Sequence, residues 1–289
     1  MSRMQARMLP DGRRLHLQDG PIDLVIGAEG RAADVRHAQQ AATARFATIL
    51  DELCAELELL RRPVDLCPEG SVARRMWAAT RAHARNCFIT PMAAVAGSVA
   101  EDVLAAMTAA APLTRAFVNN GGDIAIHLQP GQRYAIGLVD RPDRPSLFAR
   151  AGICEDDSIG GIATSGWRGR SFSLGIADAV TVLAETASRA DAAATVIANA
   201  VDLPGHPAIT RVPATQLQPD SDLGVRPVTR AVGPLRPGEI AAALASGLAC
   251  AVSLLKDGYI RACALHLAGE TRILGHVPLE HDWRLAAYA

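Results

Sequence analysis

Asp191 and Thr195 stand four residues apart in the stretch Arg189-Ala190-Asp191-Ala192-Ala193-Ala194-Thr195-Val196-Ile197-Ala198-Asn199. On a helix that spacing puts a carboxylate and a hydroxyl on one face, one turn apart. Asn199 extends the face by another turn. Nearly everything between them is alanine, so little side-chain bulk keeps a ligand or another backbone away. A hard cation takes oxygen ligands and keeps part of its own water, which makes the pair a half-site for Mg²⁺. A plainer reading stands beside it. An Asp early in a helix caps it or complements its dipole, and a helical Thr often bonds back to its own backbone.

Two further segments carry residue types suited to a ligand. Asn119-Asn120-Gly121-Gly122-Asp123 lies between apolar runs. Paired glycines let a ligand approach the backbone and its N–H groups, and the same residues make a hairpin turn that needs positive φ. Gly160-Gly161-Ile162-Ala163-Thr164-Ser165-Gly166 is followed by Trp167-Arg168-Gly169-Arg170. Thr164 and Ser165 offer hydroxyls at a strand end, Gly166 permits close approach, Arg168 and Arg170 suit phosphate, and Trp167 suits a flat ring. The alternative is a loop with a surface arginine pair.

The elements that must position these residues follow from periodicity. Apolar residues at three and four from Ala33 to Arg61 predict a helix stopped by Pro63, and a second is predicted over Val72 to Arg85. Strands are predicted within Leu15 to Ile26 around a Gly20-Pro21 turn. After Thr90-Pro91, a small-residue run leads into a helix through Met107. Ala116 to Val118 and the alternating Ile124, Ile126 and Leu128 predict a hairpin, and Tyr134 to Val139 a continuation of the same sheet. Arg141 to Arg144 is a Pro-rich loop. Ile159 to Thr164, Ser171 to Leu174 and Val180 to Ala184 read as strands before the alanine-rich helix. Leu203 to Arg236, rich in Pro and Asp, reads as an extended loop. A helix from Gly238 to Lys256 precedes a hairpin pairing Tyr259–Leu267 with Thr271–His276. The class is α+β, a mixed or antiparallel sheet packed with helices, in a single domain over residues 1–289.

Composition narrows the chemistry. The 289 residues are 49% hydrophobic and 4% aromatic, with a formal net charge of −1, which gives no field to attract nucleic acid or an anionic membrane. Lys256 is the single lysine, so Schiff-base chemistry and a phosphate loop of the Gly-Lys-Ser/Thr kind are disfavoured. The six cysteines form no Cys-x-x-Cys pair, and a reducing cytoplasm fits them. His83 and Cys87, four apart, are a weak metal pair. No apolar segment follows the basic N-terminal residues, so no signal peptide is expected. The apolar run from Ala241 to Leu255 is too short to span a bilayer and reads as a core helix or a homodimer seam.

Taken in order, Gly121-Gly122-Asp123, Ala163-Thr164-Ser165-Gly166 and Ala190-Asp191-Ala192-Ala193-Ala194-Thr195 resemble the motif series of the ApbE superfamily, whose best-known members are FAD:protein FMN transferases. The resemblance covers about residues 90–200. It implies an ApbE-like fold, Mg²⁺ held by Asp191 and Thr195, and FAD or a related nucleotide as ligand. Asn119, Gly121, Gly122, Asp123, Thr164, Ser165, Gly166 and Arg168 would line the pocket, and Asp191 and Asp178 would be catalytic. Reactions of that type pass FMN to an acceptor protein or hydrolyse FAD; a binding protein without chemistry is the alternative. Two departures stand out. Ala96-Gly97 replaces the usual Lys-Gly, and Ser171 to Ala179 lacks the usual histidine, with Asp178 a loose substitute. They point to an uncharacterised cytoplasmic branch.

Overall fold

A computed structural model describes residues 4–139 and 147–275. In chain order the elements are β1 (Gln5–Met8), β2 (Leu15–Asp19), β3 (Ile22–Glu29), α1 (Ala32–Ala55), α2 (Leu57–Leu60), α3 (Ser71–Thr80) and α4 (Val95–Ala110). Next come β4 (Arg115–Asn120), β5 (Asp123–Leu128), β6 (Arg133–Val139), β7 (Leu147–Cys154), β8 (Gly161–Ser165), β9 (Ala179–Ala184) and α5 (Ala187–Ala200). The chain continues through β10 (Ile209–Pro213), α6 (Ala214–Leu217), β11 (Pro227–Val232), α7 (Pro237–Lys256), β12 (Ala262–Leu267) and β13 (Glu270–Gly275). Helices and antiparallel pairings make this an α+β protein. Its contacts divide it into two compact units.

The first unit holds residues 1–132, 158–163 and 184–192. Its strands neighbour one another in the order β1-β2-β3-β4-β5, followed by the opening of β8. Alternation sets their faces: in β4, Ala116, Val118 and Asn120 point inward while Arg115, Phe117 and Asn119 do not. Against the sheet lies α1, whose buried Ala38, Ala42, Phe46, Ile49 and Leu53 recur at helical spacing. Buried Val99, Val103 and Met107 of α4 complete the same core.

The second unit holds residues 133–157, 164–183 and 193–289. There β12 pairs with both β9 and β13. All six residues of β9 are buried. The chain passes between the units within β8 and within α5.

Several sequence expectations need correction. Ser171 to Leu174 is not a strand; its backbone is tied down by side chains instead, with Asn199 Oδ1 accepting the Leu174 N–H at 2.9 Å. Tyr134 to Val139 does form a strand, but β6 pairs with β7 in a sheet of two. Leu203 to Arg236 is not a plain loop, because β10 and β11 pair within it around α6. Two of its prolines lie at the ends of these strands, Pro213 opposite Pro227, where a missing N–H is tolerated. The predicted Ala241–Leu255 segment is part of a helix of 20 residues. That helix and Pro91–Ala110 are both long and apolar enough to cross a membrane by length and composition. The predicted loop at Arg141–Arg144 and the end of the last hairpin at His276 lie outside the described residues.

Candidate functional site

The first unit gathers three of the singled-out segments at the N-terminus of α4. A single turn of 3-10 helix, Pro91–Ala94, leads into this helix, and its N-cap is Ala94, which has no side-chain oxygen. The open N–H groups of its first turn are met from α5. The Asp191 carboxylate accepts the Gly97 N–H at 2.9 Å and bonds the Ala96 N–H as well. From the other side, buried Asn120 donates its amide to the Ala96 carbonyl at 3.2 Å. Such close approach requires glycine at 97: a Cβ there would lie 2.2 Å from the Ala187 carbonyl oxygen and 3.0 Å from the Asp191 Cβ.

So the plainer reading of Asp191 is half right. It is a cap, but of a different helix. Its own helix is capped by Thr186, whose Oγ1 accepts the Arg189 N–H at 3.3 Å, and by Glu101, whose Oε2 accepts the Ser188 N–H at 3.2 Å.

Capping does not balance the charge on Asp191. Its carboxyl is held well above the ordinary carboxylate range, first by burial and then by the nearby charge of Asp123; the bonds from Gly97 and Ala96 oppose this only in part. Asp123 opens β5 directly after the Gly121-Gly122 turn. Both glycines have positive φ, 67° and 116°, and Asn119 Oδ1 accepts the Gly122 N–H at 2.9 Å. The segment is therefore a two-residue hairpin loop, and it also carries a carboxylate to Asp191. No atom lies within 4 Å of a Cβ built at Gly122, so the turn is open on that side.

Thr195 follows one helical turn after Asp191. The back-bonding expected of a helical Thr occurs at Thr43, Thr80 and Thr108, each to the carbonyl four residues earlier, but not among the described bonds of Thr195, which keeps part of its surface exposed. Asn199 does not extend the face as a ligand, because its Oδ1 takes Leu174 N–H and lies 3.2 Å from Ser173 Oγ.

A hard cation suits these residues. The donors are all oxygen, and two carboxylates of one sign stand together. Among the described residues no cluster of three His, Cys, Asp or Glu forms a metal site, so further ligands within the first unit would be backbone oxygen and water. His83 and Cys87 form no such site either: burial lowers the His83 pKa and raises that of Cys87, and the Cys87 thiol lies against the His83 carbonyl.

Thr195 and Asn199 fall in the second unit, as do the other singled-out residues. Thr164 Oγ1 lies 2.9 Å from Thr181 Oγ1. Gly166 sits where a Cβ would press on the carbonyls of Ala177 and Asp178. Ser165 is partly exposed and Arg170 exposed. Asp178 is buried, and both its oxygens are occupied: Oδ1 by Trp167 Nε1 at 3.1 Å and by Arg168 Nε, Oδ2 by the Ala268 N–H at 2.7 Å. The Arg168 guanidinium also stacks on Trp167, 4.3 Å from the ring centre.

A shallow cleft of about 290 Å³ in the first unit is lined by Arg75, Glu101, Thr108, His127, Glu185 and Thr186 among others, and Asp191 is not in its wall. Its Arg75 is already paired with Glu101.

Sequence reading missed Asn120, Glu101, Thr186 and Ser188. Thr186 was the legible one, a hydroxyl residue just before an alanine-rich helix.

The family model described as AbpE bacteria matches residues 6–273. The chain belongs to that family. Among curated relatives, the UPF0280 protein of Methanopyrus kandleri is 43% identical over 111 residues, covering 38% of this chain and 43% of the relative. The UPF0280 protein of Methanosarcina barkeri is 35% identical over 148 residues, covering 47% and 52%. The chain thus spans about half the length of the curated relatives it matches. Among solved structures, the apo flavinyl transferase ApbE of Pseudomonas stutzeri aligns over 94% of this chain and 93% of its own, with a TM-score of 0.46 and 13% identity. The ApbE protein of Thermotoga maritima aligns over 89% and 79%, with a TM-score of 0.37 and 16% identity.

Proposed function

We propose that this member of the family binds Mg²⁺ at Asp191 and acts on the pyrophosphate of FAD or a related nucleotide. The observation that supports the reading most strongly is the setting of Asp191, whose carboxylate accepts backbone N–H groups at the start of α4 and whose pKa is raised by burial and by the charge of Asp123. When bound, Mg²⁺ supplies charge neutralisation of the pyrophosphate. Asp191 and Thr195 hold it in this reading, with Asp123 as the second carboxylate. The Gly121-Gly122 turn, fixed by Asn119, admits the nucleotide close to backbone N–H groups. Thr164, Ser165 and Gly166 are the proposed nucleotide contacts of the second unit.

The reaction is a displacement at phosphorus. A hydroxyl oxygen, from a Ser or Thr of an acceptor protein or from water, forms a bond to the phosphorus of the FMN half. The bond from that phosphorus to the bridging oxygen breaks, AMP leaves with that oxygen, and the nucleophile's proton is released. Asp178 stays outside this chemistry because both its oxygens are occupied. A cytoplasmic setting belongs to the same proposal, supported by six cysteines that carry free thiols. A homodimer through α7, whose Ala241, Ala245 and Ala249 are exposed, is also part of it.

A second reading, binding without turnover, is favoured by one observation. Arg168, one of two arginines suited with Arg170 to supplement the missing lysine charge, is already paired with Asp178.

The test is incubation of the full chain with FAD and Mg²⁺, followed by separation of nucleotides. AMP release that needs Mg²⁺ and falls to background in Asp191→Asn supports the first reading, with labelled acceptor marking transfer and free FMN marking hydrolysis. Full release by Asp191→Asn overturns it. A yellow protein that releases neither nucleotide supports the second.

A further inference from the structure

The helices α4 and α5 cap each other. Asp191 of α5 closes the first turn of α4 through Gly97 and Ala96. In return Glu101 of α4 closes the first turn of α5, its Oε2 accepting the Ser188 N–H at 3.2 Å and the Ser188 hydroxyl at 2.7 Å. The two caps therefore join the same pair of helices at two points. Gly97 lets the backbones touch between them.

Glu101 does not stand free to move. Its other oxygen pairs with Arg75 of α3. Arg75 Nε also bonds Asp102 at 3.2 Å, and Asp102 accepts Arg45 Nε from α1 at 2.6 Å. Arg45 in turn holds Glu52 at 2.7 Å. A line of charges thus runs from α1 through α3 and α4 to the first turn of α5. A carboxylate that caps another helix holds its place only if its own helix cannot slide or rotate. The register of α5 against α4 is set by two carboxylates, one of which is the candidate cation ligand.

We infer that Glu101 is a positioning residue for Asp191: through Ser188 it fixes the first turn of α5 and so aims the Asp191 carboxylate at the start of α4. The cation arm of its test rests on the function proposed above; the exchange arm does not.

Three full-length variants decide it: Glu101→Ala, Glu101→Gln and, as a control for general loosening, Glu239→Gln, which weakens the cap of α7 in the other unit. The first measurement is amide hydrogen exchange by NMR. Glu101→Ala lowers protection at Ala96 and Gly97 selectively, while Glu101→Gln, which keeps an acceptor for Ser188, restores most of it. Unchanged protection at Ala96 and Gly97, or an equal loss across the first unit, overturns the inference. The second measurement is Mn²⁺ titration followed by electron paramagnetic resonance. Glu101→Ala weakens binding about tenfold, the effect typical of residues that orient a metal ligand, and Glu101→Gln and Glu239→Gln stay near the parent. Weakening that is equal in Glu101→Ala and Glu239→Gln overturns it. If the parent protein itself binds no Mn²⁺, the proposed function falls and the exchange result alone settles the role of Glu101.

Discussion

Asp178 and Asp191 are two hydrogen-bonded carboxylates, one in each unit, and their surroundings differ in kind. Asp178 has a guanidinium, an indole N–H and a backbone N–H on its two oxygens. Asp191 has backbone N–H groups and the negative charge of Asp123. The first set pairs a buried carboxylate with a cation; in the second, burial and the charge of Asp123 hold the carboxyl above the ordinary range. Burying a charge is tolerable when it is paired and hydrogen-bonded. A carboxyl whose charged form is disfavoured by burial and by a like charge is therefore the better candidate for a cation than one paired with a guanidinium, and this separates Asp191 from Asp178 where the two motifs look alike in sequence.

The largest expected effect breaks the balanced centre. Asp178→Ala strips Arg168, Trp167 and the Ala268 N–H of their acceptor at once. Removing one partner of a buried ion pair costs about 3–5 kcal/mol, and the 25% exposure of the Arg168 side chain brings the expectation to the lower end, about 3 kcal/mol. Denaturant unfolding with a probe in the second unit measures it. The comparison fails if Asp178→Ala is neutral, because Asp178 would then not be the saturated carboxylate described here.

A smaller effect is expected at the crossing of α4 and α5. Gly97→Ala gains about 1 kcal/mol of helix propensity. The new methyl meets a backbone carbonyl at 2.2 Å, and overpacking of this sort costs about 1–3 kcal/mol. The net expectation is a loss of about 1 kcal/mol, with the bond from Asp191 to the Gly97 N–H broken as the helices separate. The same denaturation, read with a probe in the first unit, gives the stability. Amide exchange at position 97 gives the local effect. A stabilised variant with full protection at 97 would show that the helices have room to spare and that Asp191 is not held by their contact.

How legible this was in the sequence depended on the range of the interaction. Helical spacing located α1 and α5, apolar runs located β3 and α7, and alternation located β5, because each signal lies within one element. The Gly121-Gly122 turn was readable for the same reason. What Asp191 does with its oxygens was not, since its partners are 94 residues away in the case of Gly97. The same holds for Asp178 and Ala268, separated by 90 residues. That Asn199 holds Leu174 and Ser173 was not legible either, because helix geometry gives the face and not what packs on it. The β10–β11 pairing was missed because prolines at strand ends look like loop. Gly97 shows the converse: a helical glycine has no local rationale, and its reason is the carbonyl of Ala187.

The finest test concerns the coupling of Asp191 to Asp123. Because burial and Asp123 raise the Asp191 pKa in the folded state, the folded protein binds more protons than the unfolded chain between the ordinary carboxylate value and the raised one. Stability must then fall as pH rises through that window, the reverse of what a salt-bridged Asp contributes. Asp191→Asn removes the group and flattens this part of the profile. Asp123→Asn keeps Asp191 but removes the like charge, so the window narrows from its upper end and the decline is smaller. Urea midpoints measured from pH 4 to pH 8 for the three proteins resolve the order: steepest for the parent, intermediate for Asp123→Asn, flattest for Asp191→Asn. A divalent cation added at the upper end of the range should recover stability in the parent and not in Asp191→Asn, since it binds the form that the proton leaves behind. A parent profile as flat as that of Asp191→Asn would mean that the two carboxylates do not sense each other. Asp191 would then be a helix cap and nothing more.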